Sequence, residues 1–284
     1  MMVIAKRNLK LFFRDRTGVL MSFLSVFIIL GLYVLFLGDT MKSNLPDAPE
    51  ADFLLNSWVM AGILAVTTVT ATLGAFGVMV EDRTRKLLKD FTAAPVKRQE
   101  IVGGYILSAC SVGIILSIVT LLLAEVYIVA NGGGLLSAVT FAQVIGILVL
   151  SVLAGGSIVF FITSLLRSHS AYTTASTIIG TLIGFLTGIY IPIGSLPEAV
   201  QWVIKLFPVS HAGAMLRTVM VEEPMTQAFA GAPEEALREF KLHMGVVFDF
   251  GGKLSTMGAS IAVLAGTTVF FYLLSIMLMV RNNK

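Results

Sequence analysis

The sequence predicts an all-α polytopic membrane protein: an N-terminal interfacial helix, six transmembrane helices, and a re-entrant or interfacial helical segment between spans five and six. Composition and pattern both indicate this. Of the 284 residues, 56% are hydrophobic and only 13% are charged, whereas soluble domains carry about 25% charged residues. Mean hydropathy is +0.90. Long uncharged runs alternate with short charged ones, as expected for bilayer-crossing helices and the loops between them.

The uncharged runs define six spans, because a helix needs about 20 apolar residues to cross the hydrocarbon core. The run 101–166 is too long for one helix, and the sequence NGGG at 131–134 divides it at a turn. Pro192 ends the fifth span. The first run is too long for a cleaved signal peptide and lacks a convincing cleavage site, so we expect a retained helix. The predicted spans are 17–37, 57–80, 101–130, 135–166, 171–191 and 254–280.

Lysine and arginine give the orientation, since cytoplasmic loops of membrane proteins are enriched in both. With the N-terminus in the cytoplasm, fourteen of the 20 basic residues fall in inner segments. We therefore predict that both termini are cytoplasmic. Residues 1–16 then form a basic interfacial helix that leads into the first span, and 192–253 form a large outer segment.

The stretch EDRTRKLLKDFTAAPVKRQE, residues 81–100, holds ten of the chain's formal charges in a predicted cytoplasmic loop. On a helix, Leu87, Leu88 and Phe91 share one face and the basic residues lie opposite, until Pro95 ends the helix. The residues alone leave two interpretations open. The apolar face rests on the membrane surface, with anionic lipid at the basic face, or it inserts into a groove on a cytosolic partner.

The sequence carries no motif for catalysis. The text nearest to a phosphate-binding loop is GGKLS at 251–255, but leucine follows its lysine and the segment is predicted to lie outside the cytoplasm. Neither H-E-x-x-H nor G-x-S-x-G occurs. One cysteine, Cys110, excludes an internal disulfide and a cysteine cluster, and the three histidines lack further ligands at metal spacing. We therefore predict no catalytic residue, metal site, cofactor or nucleic-acid partner for this chain.

Two further features within the spans are candidates for function. Glu125 is the one charged residue between 101 and 166, and an ionisable residue inside a span is a candidate transport residue. It lies close to the outer end, so reaching the interface or pairing locally is the alternative. Gly180, Gly184 and Gly188 form a small-residue stripe at four-residue spacing. Such a stripe admits a closely packed helix, either within one subunit or across a dimer seam.

In the order of these motifs the chain resembles the ABC type-2 transporter permeases, the membrane subunits of many bacterial exporters, drug exporters among them. One part of the resemblance is the loop after span two, although Arg83 stands where the family usually has glycine. Its matching residues are Glu81, Thr84, Leu87, Leu88, Pro95, Arg98 and Glu100. The second part is the stretch 188–217, GIYIPIGSLPEAVQWVIKLFPVSHAGAMLR. The third is the whole layout of an interfacial helix and six spans.

The resemblance implies that 81–98 is a coupling helix seated on a separate cytosolic ABC ATPase, which holds ATP and Mg. The candidate coupling residues are Arg83, Lys86, Leu87, Leu88, Phe91, Pro95 and Arg98. It also implies a second permease chain, identical or paralogous, with a substrate route lined by spans two and five. Candidate route residues are Phe76, Met79, Phe185 and Tyr190. Residues 192–207 are implied to re-enter the outer half of the membrane; a helix on the outer surface is the alternative.

The expected function is therefore that of the transmembrane subunit of an ATP-driven exporter in the bacterial cytoplasmic membrane. Its apolar composition favours a hydrophobic or amphipathic substrate, such as a drug-like compound, a lipid or a peptide. The scarcity of ionisable residues in the spans argues against an ATP-independent carrier. Two alternatives are a membrane sensor or scaffold that transports nothing, with its basic loop on anionic lipid, and an ABC exporter of polysaccharide or ions.

Overall fold

The computed structural model describes residues 1–38, 50–87, 97–166 and 168–281. Helices make up 82% of the structure, and these ranges contain no strand. The all-α fold predicted from the sequence is confirmed. The helices are α1 (Met2–Arg14), α2 (Arg16–Ser22), α3 (Leu24–Leu32), α4 (Ala51–Thr84), α5 (Arg98–Ala130), α6 (Ala138–Leu165), α7 (His169–Leu186), α8 (Glu198–Leu206), α9 (Pro208–Met220), α10 (Glu222–Ala228), α11 (Glu234–His243) and α12 (Met257–Arg281).

Five helical segments of the described ranges are long and apolar enough to cross a membrane. They are Arg16–Phe36, Ala51–Thr84, Gln99–Ala130, Ala138–Leu165 and Met257–Met277. The predicted fifth span, 171–191, is not among them. It corresponds to the 18-residue helix α7, whose first half is rich in serine and threonine and so lowers its hydropathy.

Helix α7 also ends at Leu186, five residues before the predicted end of that span. The chain turns at Gly188, whose φ of 66° favours glycine. The following Ile189 then packs against Gly62 of α4, where a Cβ would lie 2.7 Å from the Ile189 side chain. The expected run of helix to Ile191 is thus wrong, because the backbone reverses to bury Ile189.

Helix α4 is longer than predicted at both ends. It begins at Ala51 and not at 57, with Asp52 in its first turn, where a negative charge favours the helix N-terminus. At its other end it runs through Thr84, so the first four residues of the predicted coupling helix continue α4. A turn follows at 85–87, and Lys86 there has a φ of 63°. The expected break at residue 80 is therefore wrong.

Helix α4 forms the centre of the bundle and is buried over most of its length. Helices α5, α6, α7 and α9 pack around it, and α12 packs on α6 and α9. Its buried hydroxyls are satisfied within the helix: Thr67 and Thr72, for example, donate to the carbonyls of Ile63 and Thr68. A helix that is apolar on all sides is typical of a protein core or of a membrane span, and α4 is covered over most of its length by its own chain.

Helix α9 lies within this core although its sequence contains a proline, a histidine and an arginine. Nearly all of its residues are buried, and Gly213 brings its backbone close to Ala65 of α4. Arg217, one turn further on, stacks on the ring of Trp58 at 4.4 Å. The helix therefore packs on the half of α4 that is nearer to Ala51.

Candidate coupling region

Helix α1 packs onto the first turns of α5 instead of lying apart from the bundle. Gly103 and Gly104 make this approach feasible, since a Cβ at Gly104 would lie 2.7 Å from the Cβ of Ile4. Ile4, Ala5 and Phe12 are buried, and the ring of Phe12 lies beside Gly74 of α4. The predicted interfacial helix thus meets protein along part of its length.

A partly buried ion pair joins α1 to the C-terminal end of α4. Arg7 donates from Nη1 to Oδ2 of Asp82 at 2.6 Å and from Nη2 to Oδ1 at 2.9 Å. The hydroxyl of Tyr105, in α5, donates to the same carboxylate at 2.5 Å. The Asp82 side chain is only 5% exposed, so both of its oxygens are satisfied by protein. The hydrogen bonds from Arg7 to Asp82 raise the pKa of the Arg7 guanidinium.

These three residues, Arg7, Asp82 and Tyr105, are called the clamp below. Asn8 extends it: its side-chain oxygen accepts from Arg7 Nη1 at 2.9 Å, and its amide donates to Ser108 of α5 at 3.5 Å. Asn8 is 2% exposed. The clamp therefore fixes α1, α4 and α5 to one another where α4 ends.

A second set of contacts ties the same end of α4 to α6 and α7. Arg83 donates from Nη1 to the carbonyl of Leu166 at 2.7 Å, directly after α6 ends. A guanidinium suits this position, since the last carbonyls of a helix carry partial negative charge. Glu81 accepts from Arg85 at 2.5 Å and lies 3.5 Å from His169, the first residue of α7. The end of α4 thus touches four neighbouring elements.

The structure places the predicted coupling residues in different settings. The Arg83 guanidinium is turned into the bundle and caps α6. Lys86 is exposed and Leu87 is half-buried in the turn after α4. Leu88, Phe91 and Pro95 lie outside the described residues, and Arg98 is described by its backbone alone as the first residue of α5. The coupling role of this segment stays a prediction.

Sequence reasoning missed Arg7, Asp82 and Tyr105 as a unit. A signal for Asp82 was present: it follows Met79 and Ala75 at helical spacing, and both are buried. A carboxylate in phase with a buried face needs a partner. The partner lies 75 residues away in the chain, which helical periodicity cannot indicate.

The four predicted route residues do not share one surface. Phe76 and Met79 are buried within this chain, and the ring of Phe76 lies 5.5 Å from that of Phe160 in α6. Phe185 is 46% exposed and meets Tyr190 edge-on at 4.9 Å. The placement of Phe76 and Met79 at an open face is therefore not seen, because α4 is enclosed by its own chain.

The glycine stripe divides into two kinds of position. A Cβ at Gly184 would clash with the Tyr190 ring, and one at Gly188 would lie 2.6 Å from Ile193. At Gly180 no atom of the described residues lies within 4 Å of that position. Gly184 and Gly188 therefore serve packing within the chain, and Gly180 faces outward.

Around Gly180, α7 presents a hydroxyl stripe. Thr173, Thr177 and Thr181 are exposed, and each donates to the carbonyl four residues earlier at 2.9 to 3.0 Å. Their hydroxyls are thus satisfied within the helix, so the face is compatible with an apolar contact. Leu182 and Phe185 extend it on the exposed side.

Glu125 has a local partner. Its side chain is almost buried and accepts a hydrogen bond from the backbone N–H of Leu136 at 3.0 Å. Leu136 lies in the connection between α5 and α6. The carboxylate therefore braces this connection, as the local-pairing alternative expects.

A charged cavity of about 920 Å³ lies at the opposite end of the bundle from the clamp, between α8 and α11. Its polar lining includes Lys205, Glu234, Glu235, Arg238 and Glu239. Leu242 and Phe248 supply apolar surface to the same cavity. The cavity combines both signs of charge with an apolar wall.

The fold and this region together define a class of protein. Apolar helices surround a buried central helix, the clamp joins α1, α4 and α5 at one end, and no group of metal-binding residues occurs in the described ranges. This is a multi-pass helical membrane protein. The family model for ABC-2 type transporters matches residues 1–221, from α1 to the end of α9. The chain belongs to that family, whose members are permease components of transporters.

The chain is also similar to Nodulation protein J of Rhizobium meliloti (strain 1021). The two are 28% identical over 98 residues, which is 34% of this chain and 37% of that protein. The chain thus spans little more than a third of this relative. The match supports the family and carries nothing about the substrate.

Proposed function

We propose that this permease is the membrane subunit of an ATP-driven exporter in the bacterial cytoplasmic membrane, with both termini in the cytoplasm. A separate cytosolic ABC ATPase, a partner that the family implies, holds ATP and Mg. The observation that carries the proposal is the joined end of α4. There the clamp and the Arg83–Leu166 bond bring α1, α5 and α6 to the residues that directly precede 88–96.

In this proposal 81–98 is the coupling segment. Lys86 and Leu87 lead from α4 toward the ATPase, and Leu87, Leu88 and Phe91 fill its groove while Pro95 and Arg98 begin the return into α5. A push on this segment moves α1, α4, α5 and α6 together, because hydrogen bonds and an ion pair join them. Packed helices that shift as rigid elements are a common means of switching between two states.

A second permease chain, identical or paralogous, pairs with the first along α7. Its exposed face at Gly180, Thr177 and Phe185 supports this arrangement, because a close-packed helix pair in a membrane favours small residues and hydroxyls. The substrate route then runs between the two α7 helices. Helices α8 and α9 form the re-entrant segment of the outer half, which the contacts of α9 with Trp58 and Ala65 support.

The substrate is hydrophobic or amphipathic: a drug-like compound, a lipid or a peptide. The exposed face of α7 offers it an apolar surface. The charged cavity near Arg238 and Glu239 lies on the side where the substrate leaves, and its charges suit a molecule with a polar head. This favours an amphipathic substrate over a purely apolar one.

The test is ATP turnover by the permease reconstituted with the ATPase encoded beside it. Leu87→Asp with Phe91→Asp is expected to reduce substrate-stimulated ATP turnover and transport at least about tenfold, since two charges enter an apolar groove. The matched control is Leu135→Asp with Val139→Asp, which alters two exposed side chains at the outer end of the fourth predicted span. The proposal fails if no ATPase associates, or if the Leu87 and Phe91 variant transports normally.

A further inference from the structure

A shallow basic groove runs along the exposed side of α1. It has a volume of about 470 Å³ and is lined by Val3, Lys6, Arg7, Lys10, Leu11 and Arg14. Among these residues four are cations and none is a carboxylate. Lys6, Lys10 and Arg14 are exposed, as are the side chains of Val3 and Leu11 at 82% and 40%.

Helix α1 supplies no acidic side chain to offset its own cations. Residues 1–14 contain no aspartate or glutamate. Lys6 and Lys10, and Lys10 and Arg14, are spaced four residues apart, so like charges stand on one face and destabilise the helix. Asp82 compensates Arg7 alone. A bound anion between Lys6, Lys10 and Arg14 would relieve this repulsion.

The apolar surroundings of the groove identify the anion as a lipid headgroup. Met2, Val3, Leu11 and Phe13 are exposed beside the cations. The apolar segment Arg16–Phe36 follows directly, so α1 lies where that segment meets the lipid headgroups. Basic and large apolar side chains in this alternation bind at an anionic membrane surface. An acidic protein surface would match the cations but would leave Val3 and Leu11 against polar groups.

We propose that this groove binds the headgroup of an anionic phospholipid, and that the lipid holds α1 in the position in which Arg7 engages Asp82. Arg7 belongs to both the groove and the clamp, which links the lipid to the end of α4. Two parts of this inference rest on the proposed function: that α1 lies on the cytoplasmic side of the membrane, and that the lipid changes ATP turnover. Anionic lipid then strengthens coupling, and neutral lipid weakens it.

The first test uses the permease alone in nanodiscs of phosphatidylcholine, with or without phosphatidylglycerol. Native mass spectrometry measures retained phosphatidylglycerol, and hydrogen exchange measures protection of the α1 amides. The variant is Lys6→Gln, Lys10→Gln and Arg14→Gln; the control, Lys42→Gln, Lys241→Gln and Lys253→Gln, removes the same charge from the predicted outer segments. Retention of phosphatidylglycerol and its protection of α1 should be lost in the variant and kept in the control. Equal retention in both overturns the proposal.

Asp82→Asn separates the groove from the clamp. It leaves Lys6, Lys10 and Arg14 in place, so phosphatidylglycerol should still be retained, while its protection of α1 is lost. If protection persists, the lipid does not act through the clamp and that part of the proposal is wrong.

Adding the ATPase separates this inference from the proposed function. Phosphatidylglycerol should raise ATP turnover several-fold in the wild type and the control, and not in the Lys6, Lys10 and Arg14 variant. If ATP turnover of the Lys6, Lys10 and Arg14 variant is equally low with and without phosphatidylglycerol, α1 contacts the ATPase, and this result contradicts a lipid site. Lipid retention and α1 protection without an associated ATPase would support the lipid site and overturn the proposed exporter.

Discussion

The two ends of α4 hold buried charge in opposite ways. At the C-terminal end, Asp82 is neutralised by Arg7 and accepts a further hydrogen bond from Tyr105. Near the N-terminal end, Arg217 is fully buried, and among the described residues it has one long hydrogen bond, 3.4 Å to the Gly245 carbonyl, and the face of Trp58. The clamp is a directional network that joins helices. The Arg217 site is a cation packed on an aromatic ring beside the end of α11.

This difference indicates what each end is built to do. A bidentate ion pair fixes the angle and distance of its partners, so α1, α4 and α5 move as one at the clamp. A cation on a ring face has no such directional requirement. The contact of α9 with α4 thus depends on packing and tolerates changes of charge better than the clamp does.

Asp82→Ala should have the largest effect. It leaves the Arg7 guanidinium and the Tyr105 hydroxyl without their acceptor, and removing one member of a largely buried pair costs about 3 kcal/mol. Thermal unfolding in detergent measures the loss, and ATP turnover of the reconstituted complex should fall with it. The double variant Arg7→Met with Asp82→Leu should recover most of the stability but not the turnover. If the Asp82→Ala protein is as stable and as active as the wild type, the clamp contributes neither to stability nor to coupling.

Gly184→Val should cost about 1–3 kcal/mol, because the added side chain overlaps the Tyr190 ring and the core must shift. Gly180→Val is the matched control on the same helix and should leave unfolding of the single chain unchanged. Cross-linking between chains should instead decrease in Gly180→Val if α7 is the dimer seam. Equal destabilisation by the two variants would remove the distinction between the inner and outer glycines.

Arg217→Met should change stability by no more than about 1 kcal/mol. The lost cation–π contact is offset by relief of the desolvated charge, as in other replacements of buried ions by apolar side chains. The comparison with Asp82→Ala is made by chemical unfolding of both variants under the same conditions. A loss as large as that of Asp82→Ala would mean that Arg217 has an anionic partner after all.

Glu125→Gln should have the smallest effect, below about 1 kcal/mol, since the amide oxygen can still accept from the Leu136 N–H. Transport by the reconstituted complex should be unchanged. A tenfold loss of transport with normal stability would instead make Glu125 a transport residue.

The fold class was predictable because a helix in the hydrocarbon core must be nearly free of charged residues. The uncharged runs therefore locate α4, α5 and α6 to within a few residues. The exceptions come from tertiary contacts. Helix α7 ends early because Gly188 turns the chain and Ile189 fits against Gly62. Helix α9 looks like an outer helix in sequence, yet Ala212, Gly213 and Ala214 are small enough to let it enter the core.

The position of the candidate site in the chain was predictable, but the partners of its charged side chains were not. The charged stretch 81–100 begins where α4 meets the neighbouring helices, but helical periodicity predicts one solvated or partner-facing surface for its charges. In the structure Asp82 and Arg83 turn into the bundle, toward Arg7 and Leu166. Helical periodicity assigns residues to faces of their own helix. It does not show which face meets a helix from a distant part of the chain.

Helix α4 is unbroken over 34 residues, which corresponds to a rod of about 51 Å at 1.5 Å per residue. The hydrocarbon core is about 30 Å thick, so the rod extends well beyond it. A rod of this length acts as a lever. If it pivots near Asp82, which lies about 36 Å from Trp58 along the helix, a tilt of about 10° moves Trp58 through about 6 Å.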